Sequence, residues 1–576
     1  MTKRARDGEK DFERSPEAGR CTKRARATAA ACSRRDRLSM LSDEVLLRIL
    51  SFLSIIDLNK CQRLSRKFKS IAADSQLWKA LYYNRFVRPR VLRLPGMRGS
   101  AMIANPHGPA PSSEPDEFGR SSSKPSRWLD DHSLVKQGSE TDWKRQYKLR
   151  HNWTHGVCAV DEILVAEQLP PPPLIARMHN SIVYTVDAVG GLRAWSSAKN
   201  QRGMLAKTDL PPTGSPPTAL AVDTTSPDGS LLDNVDDLHQ IAVGFEDGSF
   251  AIFIFDRRNC SLTCKYKHSA SSNGMLSTVA LCSPYLVTLT AAQLLSLYKF
   301  EGANGEPRLL HSLRSHTTWS PLSLSIRPSS QNIIATIAYA IPTFVSGWTV
   351  GVQEMWLSLE GILLDSRLAT SISPSARSSA SLPASLSPSR TGSPCPSPSF
   401  SAATPGYSKP TSLSYSHPYL LLSHPDNTLT LYLVTSTDRS LSISAGHRLW
   451  GHTSSVSGAY VGGRGKAVSV TTRGDELRIW ELEGTTGRRR PTNSELSVRV
   501  QAPSFSLSSS MRTNVEGSIN VNPRCDTGPQ SVSQGTDEMG EMNVARGWIG
   551  FDEENVVLLK ERGVERVQAL AVYDFT

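Results

Sequence analysis

The sequence predicts an α+β multidomain protein, in which a small three-helix module precedes a large all-β region of about seven repeats. Apolar residues recur at helical spacing within residues 38–93. Further along, a run of alternating apolar residues that ends in an aromatic residue returns six times between residues 191 and 573. Segments rich in Pro, Ser and Gly separate and interrupt these regions, which indicates exposed linkers.

Composition narrows the classes of protein to consider. The net charge is +12, but residues 1–93 hold 23 Lys and Arg against 10 Asp and Glu, so the rest of the chain is close to neutral. We therefore do not expect nucleic acid as a partner. The longest apolar stretch, residues 333–345, is too short to span a bilayer and contains Pro342, so no membrane association is expected. Nine scattered cysteines fit a reducing compartment.

Residues 1–37 are predicted to be a disordered basic tail, because they are highly charged and contain few large apolar residues. Two Lys-Arg-Ala-Arg clusters are candidate nuclear import signals, through Lys3, Arg4, Arg6, Lys23, Arg24 and Arg26. A solvated charged tail without a receptor is the alternative. The expected localisation is the nucleus, the cytoplasm, or both.

Three candidate capping residues, each followed by apolar residues at three- and four-residue spacing, predict three helices: Ser42, Asp57 and Asp74. A unit this small cannot bury all of its large apolar side chains. The pattern therefore predicts a surface on which a partner docks. Residues 94–140 are predicted to be a disordered linker.

The same residues resemble an F-box. The resemblance covers residues 38–86 and lies in the strings at 41–53, 57–58, 64–68, 71–72 and 77–78. It departs from the family at Ser42, where proline is usual, and at Phe68, where tryptophan is common. The resemblance implies docking on a Skp-type adaptor, and through it on the cullin and RING subunits of a ubiquitin ligase, with these residues facing the adaptor: Leu41, Leu50, Phe52, Leu53 and Leu64. A generic three-helix core is the alternative.

The β region is predicted from six segments that share one pattern: residues 191–195, 249–253, 294–298, 428–432, 476–480 and 569–573. A weaker seventh runs from Trp348 to Trp356. The intervals between the terminal aromatic residues are 45 to 58 residues, apart from two of 76 and 93 that contain low-complexity insertions at about 366–416 and 484–543. Without the insertions, the spacing approaches that of a four-stranded blade.

These segments resemble WD repeats, which form a β-propeller, here assigned to residues 141–576. The resemblance rests on four residues with structural roles in the family: Asp247, Asp426, His452 and Trp480. The turn aspartate is missing from other repeats, where Val189, Ala292, Gly474 and Val567 stand. A strand near residues 568–575 is expected to close the ring by pairing with residues at about 155–167. An unrelated β-sandwich is the alternative.

The sequence offers no pattern for a catalytic centre, a metal site or a cofactor. Cys260 and Cys264 lack a second pair of ligands. Arg193, Arg473 and Arg478 lie on or beside predicted strands but form no cluster that would assign phosphate binding.

We therefore expect a non-catalytic substrate-recognition subunit of an SCF-type ubiquitin ligase. Its F-box would bind the adaptor, and its propeller would bind a target protein for ubiquitination and proteasomal degradation. Whether that target is phosphorylated stays open. The alternative is a nuclear WD-repeat scaffold, or a nucleic-acid-associated protein, that acts outside ubiquitin transfer.

Overall fold

The computed structural model describes these residues: 38, 40–88, 141–168, 170, 172–211, 214–223, 238–300, 306–314, 319–329, 332–343, 347–371, 408–462, 465–482, 497–501, 543–562 and 567–576. The chain divides into two compact units between Leu77 and Trp78. Among the helices of the described residues, none is long and apolar enough to cross a membrane.

The described N-terminal residues form more helices than the three predicted. They are α1 (Asp43–Leu50), α2 (Ile55–Cys61), α3 (Arg66–Ala72), α4 (Ser75–Tyr82) and a π-helical turn (Tyr83–Val87). The helix predicted to begin at Asp57 is two helices, because the Ser54 and Ser65 side chains each accept a hydrogen bond from a backbone N–H and start a new helix. Asp74 caps as predicted, accepting from the backbone N–H of Gln76 at 2.9 Å.

The first unit has a small core in which α3 contacts both α1 and α2. Its buried apolar residues are Leu46, Leu50, Leu58, Ile71, Ala72 and Leu77. Two side chains tie loops to this core: Gln62 Nε2 donates to the Ala72 carbonyl at 3.0 Å, and Lys67 Nζ donates to the Leu41 carbonyl at 2.9 Å.

The second unit begins with aromatic packing rather than with a strand. A fifth helix, α5 (Trp143–His155), starts at the Asp142 cap and ends at Gly156, which adopts the left-handed conformation. Trp78 packs edge-on against Tyr147, and Tyr82 against Trp143, each with ring centroids 5.6 Å apart. The prediction that the propeller starts at residue 141 is therefore wrong, because the first strand begins only at Ala159.

Seven antiparallel sheets, here called blades, follow. Blade 1 contains β2 (Ile175–His179), β3 (Ile182–Asp187), β4 (Gly191–Ser196) and β5 (Gly203–Thr208). Blade 2 contains β6 (Pro217–Val222), β7 (Leu238–Phe245), β8 (Phe250–Asp256) and β9 (Ser261–His268). Blade 3 contains β10 (Leu276–Cys282), β11 (Tyr285–Thr290), β12 (Leu294–Phe300) and β13 (Pro307–Arg314). Blade 4 contains β14 (Trp319–Pro328), β15 (Asn332–Thr343), β16 (Gly347–Ser358) and β17 (Leu363–Thr370). Blade 5 contains β18 (Ser412–Ser416), β19 (Tyr419–Ser423), β20 (Thr428–Ser436), β21 (Leu441–Ile443) and β22 (His447–Trp450). Blade 6 contains β23 (Val456–Val461), β24 (Lys466–Thr471), β25 (Leu477–Glu481) and β26 (Ser497–Arg499). Blade 7 contains β27 (Asn543–Phe551), β28 (Asn555–Arg562), β29 (Val567–Asp574) and β1 (Ala159–Ala166).

The blades form a closed ring. Each first strand contacts the next around the circle, in the order β2, β6, β10, β14, β18, β23, β27 and back to β2. The apolar core lies between neighbouring sheets, where alternate side chains of facing strands interdigitate. All seven predicted segments, the weak one through Trp348 included, form the third strand of a blade, which confirms the seven-bladed propeller.

The predicted ring closure is also confirmed. β1 is the outer strand of blade 7 and pairs antiparallel with β29, from Ala159 opposite Asp574 to Ala166 opposite Gln568. Arg202 of blade 1 forms ion pairs with Asp574 (2.6 Å) and Asp161. The closed ring leaves no pair of blades unjoined, because the N-terminal strand completes the C-terminal sheet.

Both predicted insertions are too wide at their edges. The first, at about 366–416, includes the end of β17 and all of β18. The second, at about 484–543, includes β26, which completes blade 6. The sequence underrates these strands because they are short and polar, and cross-strand hydrogen bonding forms them. The predicted tail at 1–37, the linker at 94–140 and most of both insertions lie outside the described residues.

Candidate functional site

The first unit carries a surface of large apolar side chains that its own core leaves uncovered. The most exposed are Met40 (84%), Phe52 (74%), Ile56 (70%) and Leu64 (69%). An apolar side chain left in water forgoes the roughly 1.5–3 kcal/mol that full burial contributes. This surface has the character of a docking site.

The five predicted adaptor-facing residues fall into three groups. Phe52 and Leu64 are exposed, and Leu41 and Leu53 are half-buried. Leu50 is only 3% exposed, so its assignment to the interface is corrected: its side chain packs inside the helical core and offers no surface to a partner. Whether the other four contact an adaptor stays a prediction.

Sequence reasoning missed other members of this surface. Val45 and Ile49 are exposed and lie four residues apart on α1, on a face next to that of buried Leu46 and Leu50. That spacing was available in the sequence, and it places the two side chains together on one face of the helix.

Charged groups lie close to two of these exposed residues, Phe52 and Ile56. The Arg48 guanidinium lies 4.9 Å from the centroid of the Phe52 ring. On α2, Ser54 Oγ donates to the Asp57 carboxylate at 2.7 Å and Lys60 Nζ donates to it at 3.0 Å. These two hydrogen bonds, with the charge on Lys60, lower the pKa of Asp57, so this carboxylate stays ionised beside the apolar surface.

On the ring, blade 6 contains a buried polar network around the predicted His452 and Trp480. Trp480 Nε1 donates to Ser469 Oγ at 2.8 Å, and His452 Nε2 lies 2.5 Å from the same oxygen. Burial lowers the pKa of His452 to about 4, which keeps the imidazole neutral near pH 7. The network fixes the loop before β23 to the sheet and is structural.

Glu476 provides the acidic group that the sequence seemed to lack in this repeat. Its carboxylate accepts from the Thr453 N–H and hydroxyl, both at 2.9 Å, and from Arg478 Nε at 2.7 Å. Burial raises its pKa, but these hydrogen bonds more than offset that effect and bring the pKa to about 2. Glu476 thus supplies a carboxylate next to His452, at 3.6 Å, two residues after Gly474.

The other two predicted repeat residues, Asp247 and Asp426, form hydrogen bonds in or beside the turns in which they lie. Asp247 accepts from the Ser249 N–H at 3.0 Å and from its hydroxyl at 2.6 Å. Asp426 accepts from the Thr428 hydroxyl at 2.6 Å and pairs with Arg448 at 2.8 Å. These contacts explain why aspartate suits the turns.

The three arginines considered for phosphate binding have different surroundings. Arg193 is buried, pairs with Asp187 and donates to the Val165 carbonyl at 2.7 Å. Arg478 is engaged by Glu476, whereas Arg473 is exposed in a turn. The structure does not bring these three side chains into one site.

No three His, Cys, Asp or Glu side chains among the described residues converge to hold a metal ion. Cys260 and Cys264 are exposed free thiols on the hairpin of β8 and β9. The six basic residues of the predicted import signals lie outside the described part of the chain, so import stays a prediction.

Helices with an uncovered apolar surface and a seven-bladed ring define an F-box protein with a propeller. Residues 43–84 match the F-box-like family model. Residues 158–576 match the model for the F-box protein pof12 beta-propeller, and the chain belongs to that family. F-box domains generally bind Skp-type adaptors, and F-box propeller proteins are typically non-catalytic adaptors.

The search of curated proteins found no match. Among solved structures, the C-terminal WD40 domain of Sif2 is similar at 12% identity, over 57% of this chain and 74% of that chain, with a TM-score of 0.31. The WD40 beta propeller domain of Doa1 is similar at 10% identity, over 72% of this chain and 93% of that chain, with a TM-score of 0.30.

Proposed function

We propose that this protein is a non-catalytic substrate receptor of an SCF-type ubiquitin ligase. In this proposal, the helical unit binds a Skp-type adaptor, which links it to the cullin and RING subunits. The propeller binds the target protein that is ubiquitinated and then degraded by the proteasome. The match of residues 43–84 to the F-box-like family supports the first step.

The observation that carries the proposal is the exposed apolar surface of the helical unit. Phe52, Ile56 and Leu64 are each about 70% exposed. A partner that covers them gains the free energy of removing large apolar side chains from water. Since α1 to α3 already have their own core, we expect a second polypeptide to cover this surface.

The receptor would act by proximity. Holding a target and a charged ubiquitin-conjugating enzyme on one assembly raises the effective concentration of the target's lysines near the thioester. This step needs no catalytic group from the receptor. It needs only that both of its binding surfaces are occupied at once.

The test is the affinity of the full chain for a purified Skp-type adaptor, measured by biolayer interferometry. The double variant Phe52→Asp, Leu64→Asp should bind at least 100-fold more weakly, because it places two carboxylates where an apolar partner would have to desolvate them. Its melting temperature should match wild type, since both side chains are already exposed. Leu50→Asp would be a poor test, because it buries a charge in the helical core.

The matched control is Val189→Asp, which puts the same charge at an apolar position that is 79% exposed on the ring. This variant should keep wild-type affinity for the adaptor. Wild-type affinity in the double variant, or an equal loss in the control, would contradict the proposed interface.

A further inference from the structure

The outer edges of the blades differ in the side chains that they expose. In blade 2, the outer strand β9 exposes Lys265 and Lys267. Lysines on a free edge discourage a second chain from pairing with it. In blade 4, the outer strand β17 instead exposes Leu364 and Leu368, which are 55% and 48% exposed. The edge of blade 4 therefore lacks the lysines that protect blade 2.

The backbone of β17 has hydrogen-bonding groups on its outer side. β17 is the last strand in the order β14-β15-β16-β17, and no strand of the described residues pairs with its other edge. The Ser371 N–H donates to the Val350 carbonyl at 3.0 Å, so the odd-numbered residues turn their backbone groups towards β16. The ladder is regular beyond a bulge at Leu364. The N–H and C=O groups of Ser366 and Leu368 therefore point away from the sheet.

The side chains of β17 are complementary to those of a second copy of the strand in antiparallel alignment. When Ser366 lies opposite Ser366 of the second copy, Asp365 lies opposite Arg367. In the same register Leu364 lies opposite Leu368. Two-fold symmetry makes each of these pairs occur twice. Opposite charges and apolar side chains that face each other across two strands stabilise the pairing.

Charge favours this register over its neighbours. Hydrogen bonds form only where outward-pointing backbone groups meet, so the strands can slip only by two residues at a time. A slip in one direction places Asp365 opposite Asp365 of the second copy, and a slip in the other places Arg367 opposite Arg367. Like charges directly opposite each other destabilise a pair of strands. The register centred on Ser366 avoids both.

Contacts within the chain hold the charged pair in place. The Arg367 Nε donates to the Asp365 carboxylate at 2.5 Å. Its two Nη atoms donate to the carbonyls of Thr437 and Asp438, and its guanidinium lies 4.8 Å from the centroid of the Trp356 ring. The Asp365 side chain is still 48% exposed, so a further cation has access to its carboxylate.

The outer strand of blade 3 lacks this complementarity, although it also exposes a leucine. Leu309 on β13 is 51% exposed. The strand contains Arg308 and Arg314 but no Asp or Glu. Paired with itself around His311, it would place Arg308 opposite Arg314. β13 therefore provides a matched control for β17.

We propose that the outer edge of β17 pairs with β17 of a second copy of this chain, in the antiparallel register centred on Ser366. The two rings then form a two-fold symmetric dimer through blade 4. This dimer goes beyond the proposed ligase role, does not depend on it and involves only the ring.

The first test is the dimerisation of the full chain, measured by sedimentation velocity from micromolar to near-millimolar concentration. Leu368→Lys should weaken the dimer at least tenfold, because it adds a charge to the edge. Leu309→Lys adds the same charge in place of a leucine of similar exposure and should dimerise within twofold of wild type. A wild-type chain that stays monomeric throughout this range, or equal effects of the two variants, would overturn the proposal.

The uncovered surface of the helical unit is a competing place for two copies to associate. The double variant Phe52→Asp, Leu64→Asp removes that possibility and should dimerise within twofold of wild type. Loss of the dimer in this variant, with none in Leu368→Lys, would assign the contact to the helices and contradict the proposal.

The register is tested by cross-linking. Ser366→Cys places two thiols opposite each other at a hydrogen-bonded pair, where the Cα atoms are about 5.5 Å apart, a distance that suits a disulfide. Mild oxidation should therefore link this variant into a covalent dimer well above the wild-type background. Thr370→Cys is also exposed on the same strand but lies opposite residue 362 in this register, so it should stay at that background. Equal cross-linking of the two variants, or none in Ser366→Cys, would contradict the register. Since Ser366 is exposed, this test does not depend on how Leu368→Lys folds.

Discussion

The helical unit and the ring differ in how far they bury large apolar side chains of the same kinds. On the helices, Phe52 and Leu64 remain mostly in water. In the ring, Phe253 and Leu570 are fully buried between blades. The ring closes on itself and covers its apolar faces, whereas the few short helices of the first unit have too little volume to do so. The comparison teaches that the helical unit leaves apolar side chains uncovered, whereas the ring is completed by its own first strand, β1.

The largest contrast should appear when one aromatic residue is truncated in each region. Trp480 is 1% exposed and Phe52 is 74% exposed. Trp480→Ala should lower the free energy of unfolding of the ring by about 3–5 kcal/mol, through lost burial and a cavity. Phe52→Ala should change the stability of the helices by no more than about 0.5 kcal/mol. Urea denaturation followed by circular dichroism measures both.

The comparison would fail if the two variants lost similar stability. A large loss in Phe52→Ala would mean that Phe52 belongs to the core of the helical unit and is not free for a partner.

Acid should weaken the ring through His452. Its pKa is about 4 in the folded chain, against an ordinary value near 6.5. Between these values the unfolded chain binds a proton that the folded chain does not, so stability falls as the pH falls from 6.5 towards 4. At pH 5 this group alone should cost about 2 kcal/mol relative to pH 7.

The variant His452→Gln should show a smaller loss of stability between pH 7 and pH 5 than wild type, measured by urea denaturation at both values. It is less stable at pH 7, so the comparison is of the differences. An unchanged pH dependence in this variant would contradict the assigned role of the imidazole.

The smallest effect concerns two serines that begin helices in the same unit. Ser54 Oγ accepts from the Asp57 N–H at 3.3 Å and donates to its carboxylate at 2.7 Å. Ser42 begins α1 without a side-chain cap. Ser54→Ala should therefore cost about 1 kcal/mol, and Ser42→Ala less than about 0.5 kcal/mol. Thermal melts of the two variants should differ in that order, and equal melting temperatures would contradict it.

Local patterns predicted the elements well where apolar side chains of a strand or helix are buried. The six alternating segments and the weaker one at Trp348 are all third strands of blades, which are covered on both sides. The prediction failed where polar pairing rather than burial makes the element, as in β26 and in the break between α2 and α3. The α5 helix was missed because its polar face hides the period of its buried residues Trp143, Tyr147 and Trp153.

The candidate sites could be predicted only in part. Phe52 and Leu64 were predicted to face a partner and are exposed, whereas Leu50 was given the same role and is buried. Periodicity identifies the apolar face of a helix but does not say whether the protein's own core or a partner covers it. The sequence did not predict the role of Glu476, because the family places its turn aspartate six residues before the aromatic residue. That position is Gly474 here, and the carboxylate comes two residues later.

The sequence by itself determined the class of each region, because alternation, helical spacing and repeat length are local properties of the chain. The tertiary structure alone decided which apolar residues stay in water and how β1 meets β29. Those outcomes depend on contacts between residues far apart in sequence. Ala159 and Asp574 belong to the first and last strands, and only the closure of the ring makes them partners.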